Sequence, residues 1–329
     1  MNSTVKYILK TVAKAFSLII ALSILTFVLA ELSPIDPVKA YVGAESLTSP
    51  EQMELIAEKW GLNDPPTTRY FKWITEMARG NMGDSLNFQR PVADVVFTNI
   101  ANSFLLMFIS WILSGIFGFF LGILSAAFRD RWPDKIIRTY CYLLSSTPTF
   151  WVGILLLLLF TVKYPIFPNG FSAPMGKITA DVTFADKIHH LILPALTLSL
   201  IGVSSGALHT REKMIDVWNS DYALFAKARG ESKFSIIKNH GIRNILLPAV
   251  TIQFASISEL FGGSVLAENV FSYRGLGSVT VLAGTKGDLP LLLGITMVTG
   301  TIVFVGNMIA NLLYPVIDPR IKEAKYVEE

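Results

Sequence analysis

The stretch Ser103–Phe128, SFLLMFISWILSGIFGFFLGILSAAF, runs for 26 residues without a charged side chain. A helix of about 20 mostly apolar residues is long enough to cross the roughly 30 Å hydrocarbon core of a bilayer. Because lipid offers the backbone no hydrogen-bond partners, such a stretch is expected to cross as a helix. The stretch therefore predicts a membrane protein.

The rest of the chain agrees with this prediction. Its 329 residues are 52% hydrophobic and 16% charged, with a mean hydropathy of +0.50, whereas soluble proteins carry about 25% charged residues. One further apolar stretch contains SSTPTFW, so a kink is expected at Pro148. We predict an all-α membrane protein with six transmembrane helices, the other five at Thr11–Ala30, Ile136–Phe160, Leu191–Leu208, Ala249–Val270 and Leu289–Leu313.

The basic residues predict the orientation in the membrane. If both termini are cytoplasmic, seventeen of the 28 Lys and Arg residues lie on the cytoplasmic side. Six of the other eleven lie in the long loop 31–100, and long loops are translocated largely regardless of charge. Both termini are therefore predicted to be cytoplasmic. The first apolar stretch has no convincing cleavage site after it and is interpreted as an uncleaved anchor.

The predicted helices divide the chain into four parts: an N-terminal transmembrane helix (1–30), an extracytoplasmic loop region (31–100), a core with five transmembrane helices (101–320) and a cytoplasmic tail (321–329). The long loop is expected to hold two short helices, SPEQMELIAEKWGL and TRYFKWITEMARG. The first begins at Ser49, and the two end at Gly61 and Gly80. A second outer loop, rich in Pro and Gly, is expected to be irregular. The third, SYRGLGSVTVLAGTKGD, is expected to be a short loop.

A basic stretch, DYALFAKARGESKFSIIKNHGIRNILLP (221–248), separates the fourth and fifth apolar stretches. Gly230 is expected to break a helix, after which Phe234, Ile237 and Gly241 are expected to form an apolar stripe on one side. Pro248 is expected to start the next membrane helix, where its missing N–H costs nothing. Such a surface helix suits a groove on a partner protein or the surface of anionic lipid, and the residues alone favour neither.

A resemblance distinguishes these alternatives. The pattern Ala226-x-Ala228-x-Gly230, followed by RNILLP, resembles the EAA loop of ABC importer permeases, whose coupling helix docks into a cleft of the ATPase. The initial Glu is absent and the Gly-to-Pro spacing is longer, both as in the dipeptide/oligopeptide/nickel family. LSPIDPV, RGNMGDSL, ENVFSYRGLG and YPVIDPR are also similar to that family, in its order and over nearly the whole chain.

The resemblance implies a type I ABC importer permease fold and the import of di- or oligopeptides across the cell membrane by alternating access. The implied partners are a second homologous permease, two cytoplasmic ATPases and an extracytoplasmic substrate-binding protein, with membrane lipid around the chain and no nucleic acid. ATP and Mg are expected on the ATPases and no cofactor on this chain, which lacks the GxxxxGK[ST] phosphate loop. The implied ATPase-coupling residues are Ala223, Ala226, Ala228, Gly230, Phe234 and Pro248.

Glu259 falls near the middle of the predicted fifth helix, where an ionisable side chain is costly and is a functional candidate. We predict that Glu259, Gln253 and Ser256 face the substrate pathway; pairing of Glu259 with the second permease is the alternative. His189 and His190 are adjacent and cannot share one helical face. The lone Cys141 excludes a multi-thiolate site. Neither a metal site nor a catalytic residue is predicted.

Three other functions compete with this interpretation. Within the family, the permease of a nickel or metallophore importer is the main alternative. A stand-alone secondary transporter or channel is disfavoured because the sequence shows no inverted repeat and only one clear buried carboxylate. A membrane enzyme, such as an intramembrane protease, is the weakest because no Ser/His or paired-Asp arrangement falls within the predicted helices.

Overall fold

A computed structural model of the chain describes residues 3–34, 36–42, 49–59, 61–177 and 181–317. The predicted tail 321–329 and the second half of YPVIDPR lie outside the described residues. The described chain is mostly helical and forms two compact units, Met1–Ser103 with Arg274–Met308, and Phe104–Tyr273 with Ile309–Glu329. Each unit is described separately.

The first unit contains the first outer loop and the chain on both sides of it. The two helices predicted in this loop are confirmed. Ser49 Oγ accepts the backbone N–H of Gln52 at 3.3 Å, and Gly61 and Gly80 follow the helices with φ of +66° and +87°. The unit's elements are α1 (Ser3–Glu31), α2 (Pro37–Val42), α3 (Pro50–Lys59), α4 (Pro66–Ala78), β1 (Asp84–Ser85), β2 (Arg90–Pro91), the first part of α5 (Val92–Ala127), α13 (Leu276–Lys286) and most of α14 (Leu289–Ile317).

The third outer loop is not short, since most of it forms α13. This helix ends at Gly287, whose φ is +70°, and Asp288 follows it fully buried. Asp288 Oδ2 accepts hydrogen bonds from Ser85 Oγ at 2.6 Å and from the backbone N–H of Asn87 at 2.9 Å. The antiparallel pair β1–β2 is thereby fixed to the start of α14. Buried aliphatic side chains of α5, α13 and α14 form the core beside it.

The second unit is built around α8 (Phe184–Trp218), a helix of 35 residues. Leu191, Leu193 and Leu198 of this helix are buried in a core with Phe271 and Tyr273. The long apolar face of α8 therefore organises the helices around it. The elements of this unit are the rest of α5, α6 (Trp132–Ser145), α7 (Thr149–Leu157) with a π-helix at Leu158–Lys163, α8 (Phe184–Trp218), α9 (Asp221–Ala228), α10 (Lys233–Ile236) with a π-helix at Ile237–Gly241, α11 (Ile242–Ala255) and α12 (Ile257–Val270).

The Pro- and Gly-rich second outer loop has neither α-helix nor strand in its described residues between Lys163 and Phe184, as predicted. It is fixed to the second unit by the backbone N–H of Phe171, which donates to Phe271 O at 2.8 Å. Gly170 has a φ of +99°, and a Cβ there would collide with Phe271 O. Only glycine fits this close approach of two backbones.

Among the described residues, four helices are long and apolar enough to cross a membrane: Leu9–Glu31, Val92–Ala127, Phe184–Trp218 and Leu289–Ile309. Two further pairs of helices meet the same criteria together but are bent. Trp132–Ser145 and Thr149–Lys163 meet at 107° around the predicted kink at Pro148, so the chain turns sharply there. Lys233–Ala255 and Glu259–Val270 meet at 56°.

The fifth apolar stretch differs from the prediction in two places. Pro248 does not start a membrane helix, because α11 begins at Ile242 and contains it. The good helix formers of IRNILL continue the helix from the preceding π-helix, and membrane helices tolerate an interior proline. The helix then breaks at Ser256, so Glu259 lies in the first turn of α12 rather than in mid-helix.

Candidate coupling site and pathway residues

The small residues of α9 face the interior of this chain. Ala223 and Ala226 are 0% and 2% exposed and form a cluster with Ile236 and the partly buried Trp218. Residues three apart lie on one helical face, so this face of α9 is packed against the end of α8. The two alanines allow α9 to approach its own chain closely and do not form the outer surface.

Gly230 breaks the helix, as predicted. Its backbone N–H donates to Lys227 O at 2.9 Å and its φ is +82°, a conformation that costs other residues roughly 1–2 kcal/mol. A Cβ at this position would have no heavy atom within 4 Å. Glycine is therefore required by the backbone conformation and not by lack of space. Ser232 starts α10, its Oγ accepting the N–H of Ser235 at 3.2 Å.

The predicted stripe of Phe234, Ile237 and Gly241 is wrong. Phe234 is 74% exposed, whereas Gly241 is buried, and a Cβ there would lie 2.6 Å from Met214 Cε. The π-helix between them changes the angular spacing, so the three residues do not share a face. Ala228 is exposed as well. The large apolar side chains of α9 and α10 that are exposed, here termed the outer ridge, are Tyr222, Leu224, Phe225 and Phe234.

Two lysines hold this segment to different parts of the chain. Lys227 Nζ donates to Trp218 O at 3.2 Å and lies 4.9 Å from the centre of the Trp218 ring. Lys233 Nζ also lies near that ring, at 5.5 Å, but donates to Ala127 O at the end of α5 and lies 5.8 Å from the Phe128 ring. Lys227 therefore connects α9 to α8, and Lys233 connects α10 to α5.

The structure contains a buried ion pair that the sequence did not predict. Asp134, fully buried in the first turn of α6, accepts from Arg211 Nε at 2.7 Å and Nη2 at 2.8 Å. Ser125 Oγ and the backbone N–H of Asp130 also donate to it, at 2.5 and 2.9 Å. The two ionised residues are 77 positions apart, so no local spacing connects them. The only signal was that each stands at the edge of an apolar stretch.

The three predicted pathway residues do not form one polar cluster. Gln253 Nε2 donates to Trp111 O at 2.7 Å and to Ser114 Oγ at 3.1 Å, while Trp111 Nε1 donates to Gln253 O at 2.7 Å. Gln253 thus joins α11 to α5. Ser256 Oγ donates to Gln253 O at 2.8 Å, within its own helix end. Glu259 is exposed and has no hydrogen bond or ion pair among the described residues.

The adjacent histidines hold the second outer loop. His189 Nε2 lies 3.2 Å from Ile166 O and His190 Nδ1 lies 2.7 Å from Gly170 O. Their ring planes are 77° apart, so the two rings point to different parts of the loop. Within the part of the chain that the structure describes, no three His, Cys, Asp or Glu side chains are grouped so that they could hold a metal ion.

A cavity of about 1280 Å³ lies in the first unit, lined by residues of α1, α3 and α4 and by the β1–β2 pair. Glu31 in its wall is paired with Arg69 at 2.9 Å. The other charged side chains in the wall include Glu54 and Lys72, which are exposed. The cavity is therefore an open depression with solvated charges.

Comparison with known proteins identifies the family. Residues 118–323 match the model of the family described as binding-protein-dependent transport system inner membrane component, and residues 4–110 match the model of its N-terminal region. The chain is 33% identical to the oligopeptide transport system permease protein AppB of Bacillus subtilis, over 96% of this chain and 99% of that protein. It is 32% identical to a putative peptide permease protein of Brucella ovis, over 96% and 99% of the two chains.

A further relative is the glutathione transport system permease protein GsiC of Salmonella paratyphi A, 30% identical over 96% of this chain and 98% of that protein. The matches extend over nearly the full length of each protein, as the sequence motifs indicated. The chain therefore belongs to the inner membrane components of binding-protein-dependent transport systems, the ABC permeases, and is a multi-pass membrane subunit of a transporter and not an enzyme.

Proposed function

We propose that this chain is the permease subunit of an ATP-driven importer of di- or oligopeptides. The observation that carries the proposal is similarity over 96% of the chain to a permease named for oligopeptide transport. The other relatives described above are named for peptides and glutathione, which favours a peptide cargo over the nickel or metallophore alternative.

We further propose six transmembrane helices with both termini in the cytoplasm. Each bent pair is counted as one crossing, because each has the length and apolarity of a span only when taken together. In this arrangement residues 31–100 are largely extracytoplasmic and residues 221–248 are cytoplasmic. The distribution of Lys and Arg supports this orientation.

The proposed assembly contains a second homologous permease, two cytoplasmic ATPases and an extracytoplasmic substrate-binding protein. ATP and Mg are bound by the ATPases, and this chain binds no cofactor of its own. The absence of a phosphate-binding loop from the sequence supports this division of work.

The coupling segment 221–248 is proposed to dock on an ATPase through the outer ridge, with Ala228 beside it. Exposed aromatic and aliphatic side chains on a short helix suit a groove on a partner. Ala223 and Ala226 seat α9 on α8, and Gly230 provides the turn to α10. Pro248 lies in α11, which continues from the segment toward the break at Ser256.

In the proposed cycle, ATP binding closes the ATPase pair and displaces the coupling segment. The segment moves α8 and α11, to which it is joined directly, and the helices open outward to receive cargo from the docked binding protein. ATP hydrolysis and product release return them to the inward state. Glu259 is proposed to face the pathway, because an exposed carboxylate without a partner among the described residues is costly against lipid. Gln253 and Ser256 lie just before Glu259 in the bent pair α11–α12 and are proposed to line the same part of the pathway.

Uptake by the complete transporter tests the proposal. The chain is co-expressed with its partner subunits, and uptake of labelled short peptides is compared with uptake of a labelled nickel complex. ATP-dependent accumulation of peptides is expected, and it should disappear when the Walker lysine of the ATPases is replaced. Accumulation of the nickel complex without any peptide uptake would establish the metal alternative instead.

A further inference from the structure

The connection between α5 and α6 is held from two sides. This connection, residues 128–131, is termed the α5–α6 turn. On one side, Lys233 of α10 donates to Ala127 O and lies over the ring of Phe128. On the other side, Asp130 donates its backbone N–H to Asp134, which is paired with Arg211 of α8. The turn therefore contacts both the coupling segment and the long central helix.

Asp134 makes this connection rigid. Its two carboxylate oxygens receive hydrogen bonds from Ser125 near the end of α5, from the turn itself and twice from Arg211. A bidentate pair between a guanidinium and a carboxylate fixes both distance and orientation. The end of α5, the turn and the start of α6 are thus held together and are attached to α8 through Arg211.

We propose that the α5–α6 turn is a second contact through which the coupling segment transmits its movement. Lys233 and the Asp134–Arg211 pair are positioning residues that pass this movement to the bent pair α6–α7. The inference rests on the proposed function, because it assumes that an ATPase displaces the coupling segment. The first path is the apolar contact of Ala223 and Ala226 with Trp218, which passes movement of the coupling segment to α8. The α5–α6 turn adds a second path.

The two paths start at different contacts of the coupling segment. The apolar contact and the Lys227 contact end on α8, whereas the Lys233 contact ends on α5 and the turn. From the turn, α6 leads directly into the 107° bend before α7. Loss of the Lys233 contact leaves α9 packed on α8 and removes the hydrogen bond between α10 and the end of α5. The expected defect is poor coupling in an assembled transporter.

Lys233→Met and Lys227→Met form a matched pair for the test. Both lysines are exposed, belong to the same segment and lie over the same Trp218 ring, but only Lys233 reaches the turn. In proteoliposomes containing the complete transporter, Lys233→Met should lower the peptide transported per ATP hydrolysed by about fivefold or more, the lower end of measured couplings between sites. Lys233→Arg, which keeps a charged donor, should restore the ratio, and Lys227→Met, which leaves the apolar contact of Ala223 and Ala226 with Trp218 in place, should lower it less than Lys233→Met. Equal effects of the two Met variants would overturn the proposal.

A second measurement does not depend on the cargo. Spin labels are placed at Leu155 of α7, beyond the bend, and at Ser205 of α8, both exposed. Cys141 is buried and should not compete for the label. The distance between the labels should change between nucleotide-free and ATP-bound transporter, and the change should be lost in Lys233→Met but kept in Lys227→Met. An unchanged distance in the otherwise unmodified transporter would refute the second path. Failure to import peptides would refute only the proposed cargo.

Discussion

Ala226 and Ala228 lie on the same short helix and differ in what they contact. Ala226 is packed between Trp218 and Ile236, and Ala228 is exposed. Ala226→Leu adds three carbon atoms to a filled cluster, which typically costs about 1–3 kcal/mol. Ala228→Leu should change the stability by no more than about 0.5 kcal/mol, as expected for a surface site. Thermal unfolding of the solubilised transporter should therefore shift only for Ala226→Leu.

The same two variants distinguish packing of α9 against Trp218 from binding of the ATPase. If Ala228 borders the ATPase, Ala228→Leu should weaken co-purification of the ATPase while the unfolding midpoint stays unchanged. Equal midpoints for the two variants would contradict the inner position of Ala226. Normal ATPase binding and normal uptake in Ala228→Leu would remove Ala228 from the docking surface.

Glu259 is the residue for which charge and packing are most easily separated. Glu259→Gln keeps the size and most of the hydrogen-bonding capacity but removes the charge. If the carboxylate faces the pathway, assembly and basal ATPase activity should be normal and uptake should fall several-fold, most for cationic cargo, because a favourable charge pair is typically worth about 1 kcal/mol or more away from bulk water. Uptake of peptides with different net charge measures the effect.

Glu212→Gln is the matched control for this change, because Glu212 is also exposed but lies near the opposite end of α8 from the second outer loop. It should not alter the dependence of uptake on cargo charge. If uptake through Glu259→Gln is unchanged for every cargo charge, Glu259 is an ordinary polar residue. If the variant fails to assemble, the alternative of pairing with the second permease gains support.

Among the elements, those fixed by local chemistry could be predicted and those fixed by packing could not. Four helix boundaries follow from single residues. The hydroxyl of Ser49 caps the start of α3, and positive φ angles end helices at Gly61, Gly80 and Gly230. The break at Ser256 has no Pro or Gly in the residues around it, and the π-helix before α11 has no signal of its own. Pro248 carried a strong signal for a helix start, but α11 begins six residues earlier, at Ile242, and continues through it.

The helices α5 and α8 approach each other closely at Gly122. A Cβ at Gly122 would lie 2.6 Å from Ala207 O and 2.5 Å from Thr210 Cβ, whereas a Cβ at Gly206 would meet only Gly118 Cα at 3.7 Å. Gly122→Ala must therefore move the helices apart, at a cost of about 1–3 kcal/mol. Gly206→Ala should be neutral or slightly stabilising, because alanine favours helix by up to about 1 kcal/mol.

The unfolding midpoint of the purified transporter measures both variants. A lower midpoint for Gly122→Ala with an unchanged or higher midpoint for Gly206→Ala is expected. The reverse order would mean that α5 and α8 are further apart in the membrane than in the isolated chain.

For the whole molecule, motifs spread over the chain indicated the family. The apolarity of the helices does not by itself determine how many times the chain crosses the membrane. In the part of the chain that the structure describes, four helices have the length of a span, and each bent pair forms either one crossing or a re-entrant loop. The two possibilities place the following loops on opposite sides of the membrane. Labelling of single cysteines with a membrane-impermeant maleimide in intact cells can therefore distinguish them, and the buried Cys141 should remain unlabelled.

The informative positions are Glu58, Asn169, Asn239 and Gly284, all exposed. With six crossings and cytoplasmic termini, cysteines at Glu58, Asn169 and Gly284 should be labelled from outside, and a cysteine at Asn239 only after the membrane is permeabilised. If α6–α7 is re-entrant, Asn169 becomes protected and Asn239 accessible, because the chain then enters α8 from the cytoplasm. If only α11–α12 is re-entrant, Gly284 alone changes side. Either result would place the basic segment 221–248 or the C-terminal basic residues against the positive-inside rule, so the charge distribution favours labelling at all three outer positions.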